Sequence, residues 1–182
     1  MSKIEKQDES KTSTKSNTVV VGVDESAAVP LIVEFVVNHN WPADTNFRII
    51  HAVAPIMLDH PMASYPLFLE SVEKDVREYA EKLLERVKSD IQKKIPAHQI
   101  TTEVIAGQPA EVIIDEAKTT NANLIVVGSH GRSGFTRFLL GSVSGAIASH
   151  APCNIMIVRV PRREESLQHR EPAVKALSTA ST

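Results

Sequence analysis

Short β-branched runs alternate along the chain with longer stretches in which apolar residues recur every three or four positions. Residues 18–24 (TVVVGVD), 47–53 (FRIIHAV), 101–106 (TTEVIA), 124–127 (LIVV) and 154–160 (NIMIVRV) have the length and composition of strands. Several are apolar on both faces, as strands covered by helices on each side must be. The clearest helical pattern runs from about Glu70 to Lys94. Val72, Val76, Tyr79, Ala80, Leu83, Leu84, Val87 and Ile91 share one face, and the pairs Glu70/Lys74, Glu73/Arg77 and Glu78/Lys82 fall on the wet one. A second helix spans Ala28 to Asn38, its regular part opening near Pro30 because proline suits a first turn. A third follows Pro109 and carries Val112, Ile113 and Ala117. A fourth opens at Gly141-Ser142 and ends near His150, before Ala151-Pro152.

Strand and helix in alternation force parallel pairing through right-handed crossovers, which predicts an α/β fold: a doubly wound parallel sheet of five strands with helices on both faces. Residues 54–69, with Pro55, Pro61 and Pro66, read as a long connection after the second strand, and connections of that length inside a compact domain tend to carry function.

Composition fits an ordinary globular domain, with 42% hydrophobic and 23% charged residues. The net charge of -2 hides an arrangement: residues 1–17 hold four lysines against three acids, and residues 161–182 hold four basic groups against three acids. What remains between 18 and 160 is acidic, with no basic stripe to match a phosphate backbone, so nucleic acid is not an expected partner. Both ends are rich in Ser, Thr, Lys and Glu and short of large apolar residues, so 18–160 reads as one domain between two disordered polar tails. No run approaches the roughly 18 apolar residues of a membrane span, and the first residues are polar. A cytoplasmic protein without a membrane partner is expected. The single cysteine, Cys153, forms no internal disulfide and reads as a small buried residue at a strand start rather than a reactive thiol.

In a doubly wound sheet, ligands bind beyond the carboxyl ends of the strands where the winding reverses. Asp24 follows the first strand. Gly128-Ser-His-Gly131-Arg132-Ser-Gly134 follows the fourth and leads on to Gly141-Ser142-Val143-Ser144, so four of the seven glycines fall at 128, 131, 134 and 141. Glycines admit positive φ and let backbone N–H groups approach a ligand. A helix opening at Gly141-Ser142 offers unpaired N–H groups and a positive dipole end, with the Ser142 and Ser144 hydroxyls as further donors. That is the chemistry of a phosphate cradle. The same residues also suit a tight turn with a serine N-cap, and Asp24 suits either a turn or the two hydroxyls of a ribose. Other nucleotide and catalytic patterns fail: there is no G-x-x-x-x-G-K-[ST], no lysine from 119 to 174, no G-x-G-x-x-G and no G-x-S-x-G. No two of the seven histidines are three to five positions apart, so a helical metal pair is not expected.

Gly128-x-x-Gly131, nine residues, then Gly141-Ser142 resembles the G-2x-G-9x-G-(S/T) signature of the universal stress protein family, and Val23-Asp24-Glu25-Ser26 resembles that family's strand-one motif. The resemblance covers roughly 17–160. It implies a Rossmann-like sheet of order 3-2-1-4-5 and, in the signature-bearing branch, binding of ATP or of ADP or AMP, with any Mg2+ carried on the nucleotide. By position, Val23 and Asp24 would meet adenine and ribose, and the Ala52 backbone the adenine edge. Gly128 would lie by the ribose, with Gly131, Arg132, Gly141, Ser142, Val143 and Ser144 around the phosphates. No catalytic residue is carried over. Without a P-loop lysine or an aimed general base, hydrolysis is expected to be slow at most. A dimeric interaction module in which the glycine loop is merely structural is the alternative. An ATP pyrophosphatase or adenylyltransferase is disfavoured, because the S-G-G-x-D-S and H-I-G-H motifs are absent. The last strand is apolar on both faces yet takes an edge in this order, so a homodimer through 153–160 is expected.

Overall fold

The computed structural model describes residues 17–54, 66–129 and 140–160. The predicted tails (except Asn17), the middle of the proline-rich connection, and Gly131 and Arg132 lie outside these residues. Five strands, β1 (Thr18–Gly22), β2 (Asn46–Val53), β3 (Ile100–Ala106), β4 (Leu124–Gly128) and β5 (Asn154–Val158), alternate with four helices, α1 (Val29–Asn38), α2 (Pro66–Gln92), α3 (Pro109–Thr119) and α4 (Ser142–His150). The sheet is parallel throughout, in the expected order β3-β2-β1-β4-β5. A short 3-10 turn at Ala97–Gln99, not foreseen from the pattern, leads into β3.

Strand alternation sorts the core into two layers. Val19, Val21, Phe47, Ile49 and Val126 face α1 and α2, meeting Ile32, Val36, Leu84, Val87 and Ile91. Val20, Ile50, Ile125 and Val127 face the other way, toward Ile113, Ala117 and Ile147 of α3 and α4. Central β1 is buried at every position, which explains its unbroken apolar run.

Local chemistry sets the element ends. Pro30 occupies the first turn of α1, where its missing N–H would have had no helical partner. Helix α2 opens at Pro66 rather than near Glu70, so the connection is shorter than the proline spacing suggested; a proline is as acceptable at this helix start as at that of α1. Tyr79, expected on the buried face of α2, is 58% exposed. Its 27 residues extend for roughly 40 Å, well beyond a strand of about 23 Å, so burial is concentrated between Ala80 and Ile91. Of the surface pairs, Lys74 approaches Glu78 rather than Glu70. Asn17, assigned from sequence to the tail, already belongs to the domain: its carbonyl accepts from Asn46 N–H at 2.7 Å and its amide reaches Asp44.

At the amino end of the sheet, Arg48 of β2 bridges Glu103 of β3 and Glu116 of α3. Burial works against its charge, but Glu116 and then Glu103 outweigh that and hold the guanidinium more firmly protonated than usual. Cys153, expected to be buried, is only partly so: it packs at the margin of the α3/α4 layer, and that burial raises its pKa. Among the described residues no helix is long and apolar enough to cross a membrane, and no group of three or more His, Cys, Asp or Glu is placed to hold a metal ion.

Helix α4 is nine residues long, and Ser144 and Ile147 are its buried residues. Ile147→Ala should therefore lower unfolding free energy by about 2 to 5 kcal/mol in urea titrations, the usual range for truncating a buried isoleucine. A loss under about 1 kcal/mol would show that α4 is anchored some other way. Because the raised pKa keeps Cys153 a thiol at neutral pH, a thiol reagent at pH 7 should modify it more slowly than an unstructured cysteine peptide. The rate should climb only above the ordinary thiol range; equal rates at pH 7 would contradict the burial argument.

Candidate functional site

The winding reverses between β1 and β4, and at the carboxyl ends of these strands lies a cleft of about 400 Å3. Gly22, Val23 and Asp24 reach it from β1, Ile50, His51 and Ala52 from β2, and Val127 and Gly128 from β4. Pro109 and Ile113 of α3 and Gly141–Ser144 at the start of α4 complete the wall.

The β1 turn is tightly bonded. Val23 N–H donates to Ile50 O at 2.9 Å, and Val23 O accepts from Nδ1 of buried His51 at 2.9 Å. Both main-chain polar groups of Val23 are thus committed within the protein, and its side chain borders the cleft while packing in the α1/α2 core layer. Asp24 Oδ1 accepts from Ser26 N–H at 3.0 Å, forming an Asx turn. Among the described residues its other carboxylate oxygen has no hydrogen-bond partner. The two sequence readings of Asp24, turn former and ligand acceptor, are therefore compatible on one side chain.

Ala52 owes its place to strand alternation. Ile50 O points toward β1, so the N–H and C=O of Ala52, two residues on, point to the same side, and β1 has ended at Gly22. The peptide groups of Ala52 run past the end of their neighbour into the cleft, offering a donor and an acceptor side by side.

Across the cleft, the start of α4 is stapled to the end of β4. Ser129 O accepts from Gly141 N–H at 2.8 Å and from the Ser144 hydroxyl at 2.9 Å, while Ser129 N–H donates to Val158 O at 2.8 Å. Ser144 also lies 3.2 Å from Gly141 O. Its hydroxyl proton is thus used inside the protein, contrary to the expectation of a donor available to a ligand. The N-cap is Gly141 rather than Ser142, and no side chain caps the helix. Ser142, Val143 and Ser144 therefore present first-turn N–H groups without intrahelical partners, and among the described residues the exposed Ser142 hydroxyl has no partner. The φ of Gly141 is -61°, open to any residue, so conformational need does not account for this glycine. Close approach of a ligand would.

Eight of the ten residues singled out from the sequence line this one cleft: Val23, Asp24, Ala52, Gly128, Gly141, Ser142, Val143 and Ser144. Gly131 and Arg132 fall outside the described residues. Sequence reasoning passed over His51, Pro109, Ile113 and Gly22. A Cβ on Gly22 would come within 2.6 Å of Ile113 Cδ1, so this glycine lets α3 pack onto the cleft floor. Its place inside an apolar strand was the available signal.

Comparison with known proteins fits this geometry. Residues 15–159 match the family model described as universal stress protein family. Universal stress protein Rv1996 of Mycobacterium tuberculosis is 31% identical over 160 residues, covering 87% of this chain and 46% of the relative, so the chain spans about half the length of that curated protein. Among solved structures, the universal stress protein UspA of Lactobacillus plantarum superposes with a TM-score of 0.66 at 23% identity, covering 79% of this chain and 98% of that one. An Arabidopsis thaliana family member with AMP bound gives 0.54 at 21% identity over 84% and 97% of the chains. The Archaeoglobus fulgidus universal stress protein in complex with dAMP gives 0.52 at 19% over 78% and 97%. At these identities the structures speak to the fold, while the family model covers most of the chain: this protein belongs to the universal stress protein family.

Proposed function

We propose that the cleft binds an adenine nucleotide, ATP foremost, and that its occupancy regulates conformation or partner binding in a stress response. The observation that carries this reading is the facing of two unlike surfaces across one cleft: the Ala52 peptide groups and Asp24 on one side, the uncapped start of α4 on the other. The first offers the paired donor and acceptor that an adenine edge takes, plus a carboxylate suited to ribose hydroxyls. The second offers N–H groups and a helix dipole suited to phosphate. AMP and dAMP bound to relatives of the same fold support an adenine nucleotide as the ligand class. Gly128 fits beside the ribose, and Gly131 and Arg132 are proposed as further phosphate contacts. Mg2+ enters only on the nucleotide's own phosphates. The titratable side chains lining the cleft among the described residues, Asp24 and His51, both belong to the adenine and ribose side, which supports binding with slow hydrolysis at most.

We also propose a homodimer through 153–160. β5 pairs with β4 along one edge, and Met156 and Val160 are 36% and 45% exposed.

Ser142→Ala should weaken ATP by about 1.5 to 3 kcal/mol, roughly ten-fold or more, the range for a hydrogen bond to a charged group, while adenosine binding stays near that of the parent. Asp24→Ala should weaken ATP and AMP alike. Calorimetric titration of nucleotide-free protein reads both. Wild-type affinity for ATP in both folded variants, or no binding by the parent at millimolar concentration, would replace the nucleotide reading with that of an interaction module. For the dimer, Met156→Lys is the gentler test, because Met156 is exposed whereas Ile157 packs on the α3/α4 layer. Light scattering should show the parent as a dimer at micromolar concentration and the variant shifted toward monomer; a monomeric parent would refute the edge pairing.

A further inference from the structure

His51 is 8% exposed, lines the cleft and belongs to none of the contacts assigned above to nucleotide. Its Nδ1 lies 2.9 Å from Val23 O. A carbonyl only accepts, so Nδ1 donates its proton there, which leaves the other ring nitrogen, Nε2, outside this bond. That Nε2 lies 4.0 Å from Glu25 Oε1. One imidazole on β2 therefore holds the residue before Asp24, with the residue after it standing nearby, while Asp24 fixes itself to Ser26 N–H. The donation to Val23 O also takes the place that the Ala52 N–H would otherwise fill if β1 ran on, because Ala52 points toward the same side as Ile50.

We infer that His51 is a positioning residue for nucleotide recognition: by holding the Val23 carbonyl it fixes the turn that aims the Asp24 carboxylate, and it keeps the Ala52 N–H available to the base. This rests on the nucleotide reading and deepens it. Its chemistry also says which substitute should serve. An asparagine amide nitrogen overlays Nδ1 and can still donate to Val23 O, whereas a glutamine amide sits farther out, nearer the Nε2 position.

The test is titration of the full-length chain with AMP, with folding followed by circular dichroism, for the parent, His51→Leu, His51→Asn, His51→Gln, Asp24→Ala and the His51→Leu/Asp24→Ala double variant. His51→Leu should lose roughly ten-fold in AMP affinity, comparable to Asp24→Ala, as expected when a charged hydrogen-bonding group is misaimed. The double variant should be little weaker than either single one, because both changes disable the same contact. His51→Asn should recover most of the affinity lost in His51→Leu, and His51→Gln should not. If the leucine variants do not fold, the asparagine and glutamine pair decides alone. Equal affinity in those two, a fully additive double variant, or His51→Leu binding AMP like the parent would each overturn the inference and leave the cleft assignment standing. A parent that binds no AMP or ATP at millimolar concentration would overturn both.

Discussion

The cleft depends on one carbonyl. Ser129 O, just past the end of β4, receives both the Gly141 N–H and the Ser144 hydroxyl, and so fixes where α4 begins relative to the sheet. That junction ties the end of β4 directly to the start of α4. Without it the first turn of α4 would have no defined place beside β1, and a short helix with few buried residues has little else to hold it. Ser144 acts here as a structural residue that makes its neighbours useful.

On the opposite wall the same logic applies with different chemistry. The β1 turn is held by His51, by the Asx turn of Asp24 and by the last ladder bond from Val23 to Ile50. Each wall thus consists of main-chain groups exposed at the end of a regular element and aimed by one buried polar side chain, Ser144 or His51. Both are among the few polar residues buried in the described structure. Rigid strand and helix ends suit preorganised hydrogen bonding better than loop side chains do, since little entropy remains to be lost when a ligand arrives.

Much of this was legible in the sequence. Period and β-branching located all five strands to within a few residues; the glycine and serine spacing led to Gly128, Gly141, Ser142 and Ser144, whereas Val23, Ala52 and Val143 came from the family resemblance. What escaped had physical reasons. Tyr79 sits on the apolar stripe of α2, but periodicity says nothing about where a long helix outruns its sheet. Ser142 and Ser144 look equivalent as donors, yet only the fold brings Ser129 O under Ser144 and leaves Ser142 exposed. His51 was weighed among histidines by metal spacing, whereas its partner Val23 lies 28 positions away, a distance no local pattern reports. Gly107, with φ near +148° and a Cβ position 2.8 Å from Val112, performs a backbone task in the β3–α3 turn that composition alone does not mark.

The parallel topology also has a kinetic consequence. β1 meets β2 across 28 positions and β2 meets β3 across 54, but the contacts joining the β1 start to the residue before β4 span 105. Closing so long a loop is entropically unfavourable until its contacts form, so β3-β2-β1 has the shorter search and β4 the longest. Until β4 arrives, the apolar edge of the most buried strand is open, and that interval is when the chain is most exposed to pairing with another copy. The cleft, needing β1 and β4 together, is completed by that slowest docking event. On a ribosome or after dilution from denaturant, competence to bind a ligand should therefore trail the appearance of helix and sheet.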